Sequence, residues 1–189
     1  MKRLVLIALL ISACGDDLSA PPPIVYTNPT GGKLRLVKDP ATAKDLVVLD
    51  LVVGDQSLTG YSVGFDLPID TTKVRLVGFT PGTALSAGAS PQAAVATVPQ
   101  IGPLKGMLVT AQSQKATGEG AVATDTSLAP GTVLYTVQLQ LIAGASLGDV
   151  FDGTATGFVL PSGGMRDRAG NTVVAPNEVA IGKLEVVQQ

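Results

Sequence analysis

The chain has 189 residues, of which 46% are hydrophobic and 15% are charged, a composition that argues against disorder over most of its length. It contains no histidine and one cysteine, which removes the commonest general base and leaves no second thiol for a disulfide. The 13 basic and 15 acidic residues form no long runs, so no clustered basic surface for nucleic acid is expected.

A short secretory pattern opens the chain. Lys2 and Arg3 are followed by an apolar run at residues 4–11, which is too short to span a bilayer as a mature helix. Small residues then lead into Cys14. An ordinary signal peptide, in which the thiol is incidental, also ends at small residues. However, Ile11-Ser12-Ala13-Cys14 resembles the lipobox of bacterial lipoproteins. That resemblance implies cleavage before Cys14, diacylation of its thiol and often acylation of its new amino group.

This anchor has consequences for charge and location. Removal of residues 1–13 takes away Lys2 and Arg3, which leaves 11 basic and 15 acidic residues and a formal net charge of −4. One acyl chain holds a protein only marginally, whereas two or three make attachment effectively permanent. Gly15 follows the cysteine where an Asp would imply retention in the inner membrane. The resemblance therefore implies an outer-membrane lipoprotein that faces the periplasm or the cell exterior.

A tether is predicted at residues 14–32, where Ala20-Pro21-Pro22-Pro23 and Asn28-Pro29-Thr30-Gly31-Gly32 combine a stiff stretch with a flexible turn. Ile24, Val25 and Tyr26 interrupt it and are able to form a short edge strand instead. No second apolar run approaches the length of a membrane span.

The remainder, residues 33–189, predicts one all-β domain. Short β-type runs alternate with turn signals such as Pro81-Gly82, Ser162-Gly163-Gly164 and Gly170-Asn171. This spacing is typical of a jelly-roll or β-sandwich of about eight or nine strands. The predicted strands are residues 34–37, 46–53, 60–67, 73–79, 107–112, 132–142, 154–160 and 179–187, with residues 93–98 as a further candidate.

Three of these runs, at residues 60–67, 73–79 and 132–142, show a period of two. In the run at residues 60–67, Ser62, Gly64 and Asp66 alternate with apolar residues and are predicted to face solvent. In the run at residues 73–79, the pattern places Val74 and Leu76 on one face and Phe79 with Arg75 on the other.

Three stretches resemble cohesin modules, the jelly-roll domains that anchor enzymes in cellulose-degrading complexes. They are Tyr61-Ser62-Val63-Gly64-Phe65-Asp66-Leu67 with the run to Phe79, the Gly131-led strand through Leu141, and Arg166-Asp167-Arg168-Ala169-Gly170-Asn171 with residues 181–187. The resemblance covers roughly residues 34–187 and implies a non-catalytic module that binds a dockerin-like protein partner. It places the partner-binding face at Ser62, Gly64 and Asp66, although Ser62 and Gly64 are not the amide or carboxylate usual there.

No catalytic or cofactor site is predicted. Asp66, Asp70, Asp149 and Asp152 are nominal glycosidase carboxylates, but their turn-like settings favour hydrogen bonds to the local backbone. Asp167 with Asn171 offers oxygen ligands for calcium, and the same residues more simply make a tight turn, so no metal is assigned.

The sequence therefore predicts a lipid-anchored, non-enzymatic and monomeric binding module of the cell envelope, with a face for protein or polysaccharide. A carbohydrate-binding module and a structural scaffold without a soluble ligand remain as alternatives. Aromatic residues make up 4% of the chain and fall mostly in strand positions typical of core, which argues against an aromatic platform for sugars.

Overall fold

The computed structural model describes residues 23–85, 93–114 and 124–188. Cys14, the signal segment at residues 1–13 and the first part of the tether lie outside these ranges. The described chain is almost entirely β-structure, with a single 3-10 turn at Pro176–Glu178. Within those ranges no helix has the length and apolar character needed to cross a bilayer.

The described residues form fifteen strands, more than the eight or nine predicted, because several short edge strands carry no clear signal. They are β1 Ile24–Thr27, β2 Leu34–Lys38, β3 Leu46–Val53, β4 Leu58–Gly60, β5 Ser62–Pro68, β6 Val74–Pro81, β7 Ala93–Thr97, β8 Met107–Ser113, β9 Thr126–Leu128, β10 Val133–Leu141, β11 Gly148–Asp152, β12 Ser162–Arg166, β13 Thr172–Val174, β14 Val179–Ala180 and β15 Lys183–Val186.

Two five-stranded sheets make up the body of the molecule. Their strand orders are β14-β2-β3-β10-β6 and β13-β12-β5-β8-β7. Every pairing is antiparallel except that of β14 with β2. A three-stranded sheet (β1-β15-β11) and a two-stranded one (β4-β9) complete the described structure. The chain is thus a β-sandwich, and the predicted fold class is confirmed.

The core lies between the two large sheets. Leu49 and Leu51 of β3 and Leu139 of β10 come from one side, and Phe65 and Leu67 of β5 come from the other. All five side chains are almost completely buried. Buried and partly exposed residues alternate along β5, as the sequence pattern predicts. One side of this strand therefore faces the core, and the other side faces outward.

The folded region begins earlier than residue 33. Residues 24–27 form β1 and pair with β15, in agreement with the alternative that left Ile24, Val25 and Tyr26 as an edge strand. The Tyr26 hydroxyl donates to the carbonyl of Leu36 at 2.7 Å and accepts from the amide of Gly182 at 2.9 Å. Burial raises the pKa of this phenol well above its ordinary value, so it stays a neutral hydrogen-bonding group. The tether predicted at residues 14–32 is therefore interrupted by a strand of the domain.

The strand predicted at residues 154–160 is absent. Asp152 accepts hydrogen bonds from the amide and the hydroxyl of Thr154, at 2.9 and 2.6 Å, and Gly157 adopts a φ of 82°. This side-chain capping bends the chain into turns, and it overrides the β-propensity of the segment.

A β-bulge corrects the predicted faces of β6. Gly78 pairs with Gln138 and Leu76 pairs with Leu139, so Val77 has no partner and projects outward. The extra residue reverses the alternation, and Phe79 packs against the core on the same side as Leu76.

Candidate binding face

The outward side of β5 carries the three residues singled out in the sequence. Ser62, Gly64 and Asp66 are each partly exposed, while Val63 and Phe65 between them are buried. Because β5 is the middle strand of its sheet, with β12 on one side and β8 and β7 on the other, these residues lie at the centre of a four-stranded face. The structure brings the three together, and their contact with a partner stays a prediction.

A shallow depression of about 540 Å³ lies on this face. Its floor is a row of small residues across neighbouring strands, in which Gly164 of β12 pairs with Gly64, Gly64 pairs with Ala111 of β8, and Ala111 pairs with Val95 of β7. We call this candidate surface, the outward side of β12, β5, β8 and β7, the binding face. Four strands at their usual spacing make it roughly 14 Å wide.

The depression exists because side chains are excluded from part of its floor. A Cβ atom at Gly64 would lie 2.3 Å from the carbonyl oxygen of Thr110, closer than real contacts allow. A Cβ at Gly164 would lie 1.9 Å from the carbonyl oxygen of Val174, and Gly164 also has a φ of 104°. Glycine at both positions therefore follows from close approach of the backbone.

The two ends of the depression carry opposite charges. At one end Asp66 accepts a hydrogen bond of 2.6 Å from the hydroxyl of Ser162. At the other end Arg166 pairs with Ser62 and donates to the carbonyl of Gly170 at 3.1 Å and to the hydroxyl of Thr172 at 3.3 Å. Four residues of extended strand separate the two ends, a distance of roughly 13 Å. The face thus presents an apolar floor between the carboxylate of Asp66 and the guanidinium of Arg166.

Buried polar groups fix the face from behind. The hydroxyl of Thr110 on β8 lies 3.2 Å from both the amide nitrogen and the carbonyl oxygen of Phe65, and 2.7 Å from the hydroxyl of Tyr135 on β10. Burial raises the pKa of Tyr135 far above its ordinary value, so this phenol is a neutral hydrogen-bond partner. Gln112, also buried, donates to the carbonyl of Gly82 at 3.0 Å. These contacts hold β8 against the opposite sheet and limit movement of the floor.

The nominal catalytic carboxylates have structural partners instead. Asp70 accepts from the amide and hydroxyl of Thr72, and Asp152 binds Thr154 in the same way. The hydroxyl hydrogen bond is the main cause that lowers the pKa of each of the two carboxyls, which therefore stay ionised. A general acid requires a raised pKa, so neither group suits that role.

A carboxyl group with a raised pKa occurs at Asp50, on the other sheet. Asp50 is only 9% exposed and accepts a hydrogen bond of 2.5 Å from the hydroxyl of Thr136. Burial is the main cause that raises the pKa of Asp50, and the nearby carboxyl of Asp39 raises it further. Asp50 does not line the depression, and it is too enclosed to reach a substrate.

The Asp167–Asn171 segment forms the tight turn that joins β12 to β13. Asp167 accepts from the backbone amide and the side-chain amide of Asn171, each at 2.8 Å, and Gly170 adopts a φ of 86°. The hydrogen bond from the Asn171 side chain is the main cause that lowers the pKa of Asp167. Among the described residues no group of three or more metal-binding side chains occurs, so the structure adds no support for calcium here.

Several residues of the binding face carry no signal in the sequence. Ser162-Gly163-Gly164 has the composition of a turn, yet it begins β12 and lines the depression. Arg166 is visible only as part of a turn motif, and Val95 only as part of a candidate strand. Strand order alone brings these residues beside β5, and strand order is a long-range property.

No family model matches the chain, and no curated protein matches it. Among solved structures, the chain resembles the solution structure of CaCohA2, a cohesin domain from Clostridium acetobutylicum, with 12% sequence identity and a TM-score of 0.43. The match covers 85% of this chain and 92% of that one.

Proposed function

We propose that this protein is a lipid-anchored, non-enzymatic module of the cell envelope whose binding face holds a protein partner. The lipobox resemblance at Ile11-Ser12-Ala13-Cys14 supports the anchor. The depression over β12, β5, β8 and β7 supports the binding role, because it is concave, fixed from behind by buried hydrogen bonds, and charged at its ends.

The observation that favours protein over polysaccharide is the position of the aromatic rings. Carbohydrate modules commonly stack sugars on exposed rings. All seven aromatic residues of this chain lie in the described ranges, and none has an exposed side chain. Phe65 is the one aromatic residue beside the depression, and its side chain is buried on the core side of β5.

The chemistry of the face defines the kind of partner it fits. The floor of Gly64, Gly164 and Ala111 accepts small aliphatic side chains, and Val95 adds apolar surface at its edge. A cationic group on the partner would lie near Asp66 and an anionic group near Arg166. The partner that fits this face would therefore present a surface segment with a few aliphatic side chains between two opposite charges.

A pair of matched substitutions tests the proposal. Val95 of β7 is 49% exposed on the binding face, and Val77 of β6 is 46% exposed on the other sheet. Val95→Glu introduces a charge beside the depression, whereas Val77→Glu introduces the same charge elsewhere at similar exposure. We expect proteins captured from envelope extracts by the full chain to be lost with Val95→Glu and retained with Val77→Glu, as measured by quantitative mass spectrometry.

The same preparations applied to a glycan array distinguish the alternatives. Retention of a polysaccharide with no protein partner would replace the protein-binding proposal by a carbohydrate-binding one. Equal capture by Val95→Glu and Val77→Glu would move the binding site away from this face. If neither assay retains anything, a structural envelope component becomes the better description.

A further inference from the structure

The described chain enters the sandwich at one end, which we call the proximal end. It comprises Pro23 and the loops at residues 39–45, 69–73, 98–106 and 142–147. These segments are neighbours because the strands that lead into them are paired: Ile24 and Gly148 both pair with Val186, and Leu46 pairs with Gln140.

Hydrogen bonds between the segments confirm that they share this end. The amide of Ile24 donates to the carbonyl of Lys44 at 3.3 Å, and the amide of Leu141 donates to the carbonyl of Asp45 at 2.8 Å. The amide of Ile142 donates to the carbonyl of Lys73 at 2.8 Å. The loop at residues 98–106 joins them through Gly106, whose carbonyl accepts from the amide of Ile69 at 3.0 Å.

Aliphatic side chains project into solvent from two loops of the proximal end. Ile101 is 84% exposed, Leu147 is 54% exposed and Leu104 is 38% exposed. Ile101 and Leu104 flank Gly102-Pro103 at the tip of the loop between β7 and β8, and Leu147 immediately precedes β11. Single exposed aliphatic residues are ordinary, but these three are grouped at one end of the domain.

The length of the connection places this end close to the proposed anchor. Eight residues separate Cys14 from Pro23. A chain of that length, fully extended, spans about 30 Å, which is an upper limit on the distance between the acyl chains and the proximal end. The end that carries the tether therefore lies within this distance of the lipid, whereas the opposite end is not restricted in the same way.

We propose that the proximal end rests on the membrane, with Ile101, Leu104 and Leu147 in the headgroup region of the bilayer. This inference rests on the lipid anchor of the proposed function. The loops of the proximal end carry exposed charges of both signs, among them Lys44, Asp45 and Lys105. The contact is therefore driven by aliphatic side chains rather than by attraction to anionic lipid, and the lysines place their ammonium groups among the headgroups.

This orientation leaves the binding face free. The face lies along β5 and its neighbours rather than at their ends, so it points sideways when the proximal end is on the membrane. The partner would then be held beside the domain near the membrane surface.

The absence of tryptophan makes a direct test possible, because one introduced indole is the only such fluorophore. The full chain is expressed in a Gram-negative host, acylation is verified by mass spectrometry, and the purified protein is reconstituted in phosphatidylcholine vesicles that contain dibrominated phosphatidylcholine. Ile101→Trp and Leu147→Trp report on the proximal end. Val133→Trp is the matched control, since Val133 is 41% exposed and begins β10 at the opposite end.

We expect the brominated lipid to reduce the emission of Ile101→Trp and Leu147→Trp and to shift it to shorter wavelength, while Val133→Trp is unchanged. Adding Ile101→Asp and Leu104→Asp to Leu147→Trp should abolish the reduction. An acylated protein with unquenched emission at positions 101 and 147 would overturn the orientation and leave the anchor intact. Emission at position 101 that is blue-shifted but unquenched would indicate a protein contact and would also overturn it. Absence of acylation would overturn the anchor and, with it, this inference.

Discussion

The hydroxyl groups of Tyr135 and Thr110 lie 2.7 Å apart in the core and form a hydrogen bond between the two large sheets. Tyr135 also contacts the rings of Phe65 and Phe79, with centroids at 6.2 and 5.3 Å. Thr110 is in turn within hydrogen-bonding distance of the backbone of Phe65. One polar contact thus connects the sheet that bears the binding face to the sheet behind it.

Thr110→Val should lower the free energy of unfolding by about 1–3 kcal/mol, because it leaves the Tyr135 hydroxyl buried without this partner. Tyr135→Phe removes the hydroxyl itself and should cost less, about 1 kcal/mol. Urea denaturation of both variants and of the double variant measures the coupling between them. Strictly additive losses would mean that the two hydroxyls do not interact.

Lys73 connects the turn before β6 to β11. Its side chain is largely buried, and its ammonium group donates to the carbonyl of Asp149 at 2.8 Å and lies 3.2 Å from the carboxylate of Asp70. Lys73→Met should lower the free energy of unfolding by about 2 kcal/mol through loss of these charge-assisted hydrogen bonds. Lys105→Met, at an exposed position, is the control and should change it by less than about 0.5 kcal/mol. Equal thermal midpoints for the two variants would contradict this role of Lys73.

The raised pKa of Asp50 predicts that the stability gained by replacing it with asparagine depends on pH. Burial raises the pKa of Asp50 in the folded state above its unfolded value of about 3.9, so ionisation penalises the folded state at neutral pH. This penalty disappears as the pH falls through the folded pKa and below the unfolded one. Asp50→Asn, which keeps an oxygen for Thr136, should therefore unfold at higher urea concentration than the wild type at pH 7. The difference in urea midpoint between the variant and the wild type should vanish below pH about 4. A difference that grows at acid pH would show that folding lowers the pKa of Asp50 instead of raising it.

Alanine substitution at two glycines with positive φ should lower the free energy of unfolding by unequal amounts. Gly170→Ala places a Cβ in open space at a φ of 86° and should cost about 1–2 kcal/mol for the backbone conformation alone. Gly164→Ala has the same kind of backbone cost and adds a contact of 1.9 Å with the carbonyl of Val174. It should therefore be much more destabilising and disturb the pairing of β12 with β13. Circular dichroism melts compare the two, and similar midpoints would show that the close approach relaxes freely.

Cys14→Ala should abolish metabolic labelling with a palmitate analogue, because the chain has no other thiol to acylate. Ser12→Ala keeps a small residue in the lipobox-like pattern and should preserve labelling. Persistence of the label in Cys14→Ala would show that the acyl chain is attached elsewhere.

The local sequence pattern was sufficient to predict the strands that form the core. Alternation at residues 60–67 correctly identified the outward side of β5, and residues 46–53 and 132–142 correspond to β3 and β10. Burial on one side imposes a period of two on β5 and on most of β10, whereas β3 is buried along nearly its whole length and is a continuous apolar run. Ser62, Gly64 and Asp66 could be grouped for the same reason.

Local pattern failed where a side chain or a glycine departs from the average behaviour of its type. Asp152 holds Thr154 in a turn within a segment of β-type composition. Gly163 and Gly164 form part of β12 with φ values of 128° and 104°, although consecutive glycines usually mark a break. Because of the bulge at Val77, Phe79 lies on the core side and not on the predicted outward side. The sequence of β6 contains no signal for an inserted residue.

Residues that are close together in the chain were enough to predict the all-β class and the side of β5 that faces outward, and the anchor at Cys14 stays a prediction of the same local kind. Long-range packing places β12, β8 and β7 around β5, opens a depression at the glycines there, and brings two loops with exposed aliphatic residues to the end where the tether enters. Strand pairing joins residues that are far apart in the chain, 96 positions for Asp66 and Ser162 and 186 − 24 = 162 positions for Ile24 and Val186. Such contacts depend on the packing of the whole core, which no local pattern in the sequence contains.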